Sequence, residues 1–361
     1  MNVLTRKVKL FDFHEHQIGQ FDLLKGMFLI GMILSHSCYD FLSMAVSNYG
    51  GSRLVGAMYR TIIPCSNAGN AVLMMICGYG FRKKSMVSAI RVQTKHLWKP
   101  YLLTTLAVFV AVTVFTLLTK GNLRQELGRR ALPFLLGNTN ERPYFGITMD
   151  NGIGPMWFIL AFIVSGIVLN AILQYQDETM QWIMAVLLYG FGTTGSIGKF
   201  TILVDLPFGL YNALKCTLYM YIGYQMKKEC FFDKEFPVWM IVILTVFCVI
   251  AIYIGRNDLF SDLFIALVML AVSLLLNRVK CRLFGWFRML GRNIVTFCCI
   301  HTVFYAMLSN GIVEERFANR PIVGIVIEIA IYAITGIGGC IIVDQIKRRR
   351  IMKKRQKAIG I

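Results

Sequence analysis

Three ionisable side chains, Asp22, Lys25 and His36, stand on one otherwise apolar stretch, FDLLKGMFLIGMILSH, residues 21–36. A helix advances about 100° and 1.5 Å per residue, so Lys25 and His36 share a face to within about 20° and lie roughly 16 Å apart along the axis. Asp22 falls about 40° from the same line. An imidazole can take a proton from a hydroxyl near neutral pH, which suits a general base. An ionisable group deep in an apolar helix is costly and marks a candidate site. A second histidine, His301, lies in the apolar run FCCIHTVFYAML. Either ring also has a plainer reading, as a neutral imidazole donating to a backbone carbonyl. Asp22 and Lys25 are spaced to pair on one helix face. Such a pair can anchor the helix at an interface, or it can hold an anionic group at the mouth of a path to His36. Gly26 and Gly31 leave room for close approach by a helix or a ligand, with packing the simpler reading of each taken alone.

The elements that position these groups must be membrane helices. The chain has 361 residues, is 56% hydrophobic and 16% charged, and has a mean hydropathy of +0.60. Soluble domains carry about a quarter charged residues. Apolar stretches near the length of a bilayer crossing give ten expected spans: 21–42, 62–81, 98–119, 153–173, 180–195, 206–226, 237–255, 259–277, 289–309 and 321–343. The fifth is short and Pro207 interrupts the sixth. The expected architecture is an all-α integral membrane protein with about ten transmembrane helices. It divides into a leader (1–20), a transmembrane domain (21–343) and a basic tail (344–361). The leader reads as cytoplasmic, since a long span and no small-residue cleavage site follow it.

With the N-terminus inside, the inner segments carry 25 Lys and Arg against 11 in the outer ones, which is the positive-inside pattern. Both termini are then cytoplasmic. The tail KRRRIMKKRQK reads as an anchor at an anionic bilayer surface. A net charge of +19 otherwise suits nucleic acid, but no recognition fold accompanies it, so no nucleic-acid partner is expected. Most of the ten cysteines fall in apolar spans. No CxxC pair or His/Cys cluster has ligand spacing, so free thiols and no metal are expected. Neither GxGxxG nor GxxxxGK[ST] is present, which leaves nucleotide hydrolysis unsupported. A Gly-x-Ser-x-Gly elbow is absent too.

Two further segments stand out. FRKKSMVSAIRVQTKHLWKPY gathers Arg82, Lys83, Lys84, Arg91, Lys95, His96 and Lys99 at one expected inner face. Topology explains much of this, but the mutually repelling Lys95 and Lys99 would also suit a lipid phosphate or a polyphosphate ligand. The largest outer segment, 120–152, holds turn signals, four arginines and Asp150.

The first-span stretch resembles the opening signature of the integral-membrane acyltransferases known as acyltransferase family 3, Asp-x-x-Arg-Gly followed by an apolar run and histidine, with Lys25 at the basic position. VLMMICGYGFRKKS is similar to the family's Phe-x-x-Ser-Gly-Tyr segment, with Cys77 for serine and Gly78 and Tyr79 retained. GPMWFILAFIVSG, MYIGYQMKK and MLGRNIVTFCCIH are similar to further family segments. They bring in Trp157, Gly223 and Tyr224, and then Gly291, Arg292, Asn293 and His301. The resemblance runs from about residue 18 to 343, with its elements in order.

It implies a multi-pass protein of the plasma (cytoplasmic) membrane of a bacterium that moves an acyl group, most often acetyl, from acyl-CoA to a hydroxyl of a cell-surface glycan or glycolipid. It casts His36 as the base and makes Asp22, at the donor end with Lys25, the second catalytic residue. Lys25, Lys95, Lys99 and Arg292 would hold the acyl-CoA (acetyl-CoA) co-substrate, and Tyr79, Trp157, Asn293 and His301 would line the cavity. Lys25 keeps the charge of the family's arginine without its fork of donors. The alternative is a transporter or exporter of a polar envelope precursor, in which embedded charges line a path. Internal inverted repeats often mark transporters, and none is visible. A membrane scaffold would leave Asp22, Lys25, His36 and His301 without reasons.

Overall fold

A computed structural model describes residues 7–8, 17–48, 53–137, 153–194, 209–254, 258–277, 279, 281–308, 312–317 and 319–359. Its helices are α1 (Gln17–Asn48), α2 (Arg53–Tyr79), α3 (Met86–Thr119), α4 (Leu123–Glu126), α5 (Leu132–Leu136), α6 (Trp157–Ile172), α7 (Glu178–Thr194), α8 (Leu210–Lys228), α9 (Val238–Ile254), α10 (Leu259–Asn277), α11 (Arg282–Arg292), α12 (Ile294–Leu308), α13 (Ile312–Phe317) and α14 (Pro321–Ile359). Among the described residues the one sheet is a two-residue antiparallel pairing of β1 (Lys7–Val8) with β2 (Phe236–Pro237).

A helix lies over each of the ten expected spans. Five are long and apolar enough to cross a membrane, in α1, α3, the segment Gly154–Ile172, α10 and α14; α9 and α12 are shorter apolar helices. Neither group includes α2 or α8, for a local reason. Ser66, Asn67 and Asn70 in α2, and Asn212 and Lys215 in α8, lower their apolarity, and all five line the central cavity described below. Outer faces tell the opposite story. α3 exposes Leu103, Leu106, Val110, Val114 and Leu118, and α9 exposes Val246, Phe247, Ile250 and Tyr253. Stripes of that length would be unstable against water and suit hydrocarbon.

The expected ninth span, 289–309, is two helices rather than one. Asn293 stands between α11 and α12 at φ −110° and ψ 23°. Its Nδ2 donates to the Met289 carbonyl at 3.0 Å, and its Oδ1 accepts from Lys347 Nζ at 2.7 Å. Its own carbonyl accepts from the Phe297 N–H at 3.0 Å, which starts α12. A short amide that bonds the local backbone competes with the continuous helix ladder, and hydropathy does not register this. The basic tail is helical as far as it is described, since α14 runs from Pro321 through Ile359. All ten cysteines are free thiols.

Two glycine seams close the bundle at the end that holds Phe21, Tyr79 and Phe232. A Cβ on Gly78 would strike the Met220 carbonyl, and one on Gly223 would strike the Met75 carbonyl. These reciprocal contacts bring α2 and α8 to backbone contact. The same holds for α1 and α11, where Gly26 faces the Phe287 carbonyl and Gly291 the Asp22 carbonyl. Small residues permit this approach. Gly31, by contrast, faces nothing within 4 Å, so the expected close approach there is not made.

Candidate active site

His36 forms part of the wall of a central cavity of about 440 Å³. That volume lies within the usual range for small-molecule sites, roughly 300–1,000 Å³. Beside His36, α1 contributes Phe28, Met32 and Ser35. From α2 come Ser66, Asn67 and Asn70, from α8 Asn212, Lys215, Cys216 and Tyr219, and from α10 Asp262. Pro155, Trp157, Phe158, Ile294 and Cys298 complete it. The Tyr219 hydroxyl donates to Asp262 Oδ2 at 2.7 Å and fixes that carboxylate in the wall. Lys215 makes no hydrogen bond or ion pair among the described residues.

A layer of aromatic and ionisable side chains meets His36. The His36 and His301 ring centroids lie 5.5 Å apart, and those of His36 and Tyr305 lie 5.0 Å apart. His301 meets Tyr332 of α14 edge-on at 4.4 Å. His301 is fully buried, and neither of its ring nitrogens has a hydrogen-bond partner among the described residues. Glu328, also fully buried, lies one helical turn from Tyr332 on the same face of α14. The turn ahead of α6 locks this layer to the cavity. Gly154 has φ +48°, and the Tyr305 ring occupies the place a Cβ would take. Only glycine fits both conditions. Pro155 and Trp157 are thereby delivered to the cavity wall.

A second cavity, of about 350 Å³, lies where α2 passes into α3, lined by Cys77, Gly80, Phe81, Arg82, Lys84 and Gln93 with Ala89, Val92, Leu97 and Phe162. Its loop is pinned from α6. Asn170 Oδ1 accepts from the Lys84 N–H at 2.9 Å, and Asn170 Nδ2 and Gln174 Nε2 each donate to the Lys84 carbonyl at 3.0 Å. The Lys84 backbone is therefore held while its ammonium stays exposed. Lys25 pairs with Asp22 at 3.4 Å and lies within electrostatic reach of Cys77. Cys77 in turn lies within electrostatic reach of Cys216, in the wall of the central cavity.

The expected site residues thus fall into groups. His36 and Trp157 line the central cavity, and His301 packs on His36. Asp22 and Lys25 form their pair. Tyr79 sits edge-on between Phe21 at 5.7 Å and Phe232 at 5.2 Å, in an aromatic cluster. Asn293 is engaged at the α11–α12 break, tied to Lys347. Lys95, Lys99 and Arg292 are exposed and line neither cavity. The His96 side chain and residues 138–152, with Asp150, lie outside the described residues. Of the expected outer segment, Arg130 is buried, pairing with Glu126 at 2.7 Å and donating to the Met307 carbonyl at 2.9 Å. Sequence reasoning passed over Ser66, Asn67, Asn70, Asn212, Lys215, Tyr219, Asp262, Tyr305, Glu328 and Tyr332. Several carried a usable signal, since amides and charges inside apolar helices are expensive.

A model of the acyltransferase domain family matches residues 18–344, and the chain belongs to this family of multi-pass membrane acyltransferases, acyltransferase family 3. Comparison with curated proteins and with solved structures gives no match. Acyl transfer is therefore the reaction class into which the central cavity must be fitted.

Proposed function

We propose that the protein moves an acyl group, acetyl first among candidates, from cytoplasmic acyl-CoA to a hydroxyl of a cell-envelope glycan or glycolipid. The observation that carries this reading is His36 in the wall of a polar cavity built from six helices and the turn before α6. His36 takes the proton of an acceptor hydroxyl as that oxygen attacks the thioester carbonyl. The tetrahedral adduct collapses with loss of the CoA thiolate, and the imidazolium returns the proton to sulfur. The products are the ester and free CoA thiol. Nothing in this route needs a metal or a covalent enzyme intermediate.

The second cavity, with Arg82 and Lys84 in its wall, suits the phosphates of the donor better than Lys95, Lys99 and Arg292, which line neither cavity. Lys25 and Asp22 stand at the same end of the bundle, where the positive-inside count favours the cytoplasm. Cys77 and Cys216 lie between that end and His36, in line with a pantetheine arm reaching inward. Amides and a carboxylate in the central cavity offer both donors and acceptors, as sugar hydroxyls require. A bacterial plasma membrane is the setting this chemistry implies.

The test is to incubate purified protein with acetyl-CoA and cell-envelope extract, following free CoA and product mass. Coupled CoA release and acetylated glycan are expected. Glycan translocation without thioester consumption would overturn the reading in favour of a transporter.

A further inference from the structure

Among the described residues Lys215 is the one Lys or Arg in the central cavity wall, and acyl transfer as described gives it no task. It lies within α8, five residues from the helix start. Its stem is set by packing, because the Gly192 Cβ position falls against the Lys215 backbone nitrogen and Cγ. A buried or half-buried lysine in a membrane helix is retained against a desolvation cost. The obvious counter-ion is Asp262, which lies within electrostatic reach, but its Oδ2 accepts from Tyr219 at 2.7 Å and it makes no direct ion pair with Lys215 within 4 Å. Lys215 and Asp262 therefore face the same cavity as two separated poles. Asn67, Asn70 and Asn212 stand with them.

We infer that the central cavity is the acceptor site and takes a sugar bearing an anionic group, a carboxylate or a phosphate, read by Lys215. This rests on the acyltransferase reading above and names the acceptor class for it. An ammonium is a point charge suited to either anion. Asp262 then accepts from a sugar hydroxyl, and the asparagine amides bridge neighbouring hydroxyls. A neutral sugar would leave the half-buried ammonium with no direct anionic contact, offset only by the more distant Asp262 carboxylate.

The decisive experiment uses full-length protein with acyl-labelled acetyl-CoA and cell-envelope extract. The labelled glycan is digested to its smallest labelled fragment and passed over an anion exchanger. Retention of that fragment is expected. A labelled fragment that flows through as neutral overturns the inference while leaving the acyltransferase reading intact. Absence of both label transfer and CoA release overturns that reading, and the inference falls with it. Carbodiimide reduction abolishes retention if the anion is a uronate, and phosphatase abolishes it if the anion is a phosphate.

Lys215→Gln should lower kcat/KM for the acidic acceptor by about 10- to 100-fold, the worth of one charge-assisted hydrogen bond. Most of the loss should lie in KM. Lys215→Arg, which keeps the charge, should recover a large part of it. Equal losses in both variants, falling on kcat alone, would assign Lys215 to packing instead.

Discussion

The two cavities are built from opposite kinds of sequence. Around His36 the polar groups come from within apolar helices: Asn67 and Asn70 of α2, Lys215 and Tyr219 of α8, Asp262 of α10. Around Arg82 and Lys84 they come from the loop joining α2 to α3, and both cations are exposed. Charge in the first region acts through a low dielectric and is felt strongly, whereas charge in the second is weakened by water and salt. The first region is suited to chemistry and fine recognition, and the second to capture of a charged donor. Substitutions should separate the two regions by size of effect, by kinetic parameter and by salt dependence.

The largest expected effect is at His36. His36→Ala should lower acyl transfer by about 10²- to 10⁴-fold, the range for loss of a positioned general base. The helix itself does not need the ring, so the variant should still insert and elute as a single species. Transfer at the normal rate in that purified variant would remove His36 from the mechanism. His301→Ala should fall between wild type and His36→Ala, since its ring packs on His36 without lining the cavity.

The seams between helices near the second cavity offer a sharper structural contrast. Gly26→Ala places a methyl against the Phe287 carbonyl, whereas Gly31→Ala, on the same helix, enters open space. Overpacking of this kind costs about 1–3 kcal/mol. Thermal unfolding of the detergent-solubilised variants should therefore show a lower midpoint for Gly26→Ala alone. Equal midpoints would mean that α1 and α11 slide apart at no cost, and that the seam does not set the height of Asp22 and Lys25.

In the second cavity, the double substitution Arg82→Gln and Lys84→Gln should raise the acyl-CoA KM by about tenfold at low salt, with kcat nearly unchanged. Added salt should shrink the difference, as screening predicts. Lys25→Ala should weaken donor binding less, because Lys25 is already paired with Asp22. A fall in kcat without a change in KM would break the assignment of this cavity to the donor.

How much of this could be read in the chain depended on what each residue had to do. The helical segments came through well, because burial in lipid demands runs of apolar residues that leave little ambiguity. His36 was conspicuous for the same reason, and Trp157 followed from the family's segments. The cavity wall was harder. Asn67, Asn70 and Asn212 sit in helices whose lowered apolarity blurred the signal, and one chain does not show which face of a helix turns inward. His301 was visible as an oddity, but its contact with His36 joins α12 to α1 across the sequence. No periodicity reports that pairing. The break at Asn293 was hidden because its hydrogen bonds, to Met289 and Lys347, are matters of geometry rather than composition.

The smallest expected effects test where the donor phosphates lie. Lys95 and Lys99 look from sequence like the natural phosphate-binding pair, being close together, basic and on the expected inner face. All four cations are exposed in the fold, but Lys95 and Lys99 stand outside both cavities whereas Arg82 and Lys84 converge on one. An exposed charge contributes about 0–1 kcal/mol. Lys95→Ala and Lys99→Ala should therefore each change the acyl-CoA dissociation constant by about fivefold or less, short of the effect of the double Arg82 and Lys84 substitution. Titration of a fluorescent CoA analogue into each purified variant measures the difference. A tenfold loss from either lysine would move the donor out of the Cys77–Arg82–Lys84 cavity and onto the open face of α3. The line from Lys25 through Cys77 and Cys216 to His36 would then no longer be the acyl chain's path.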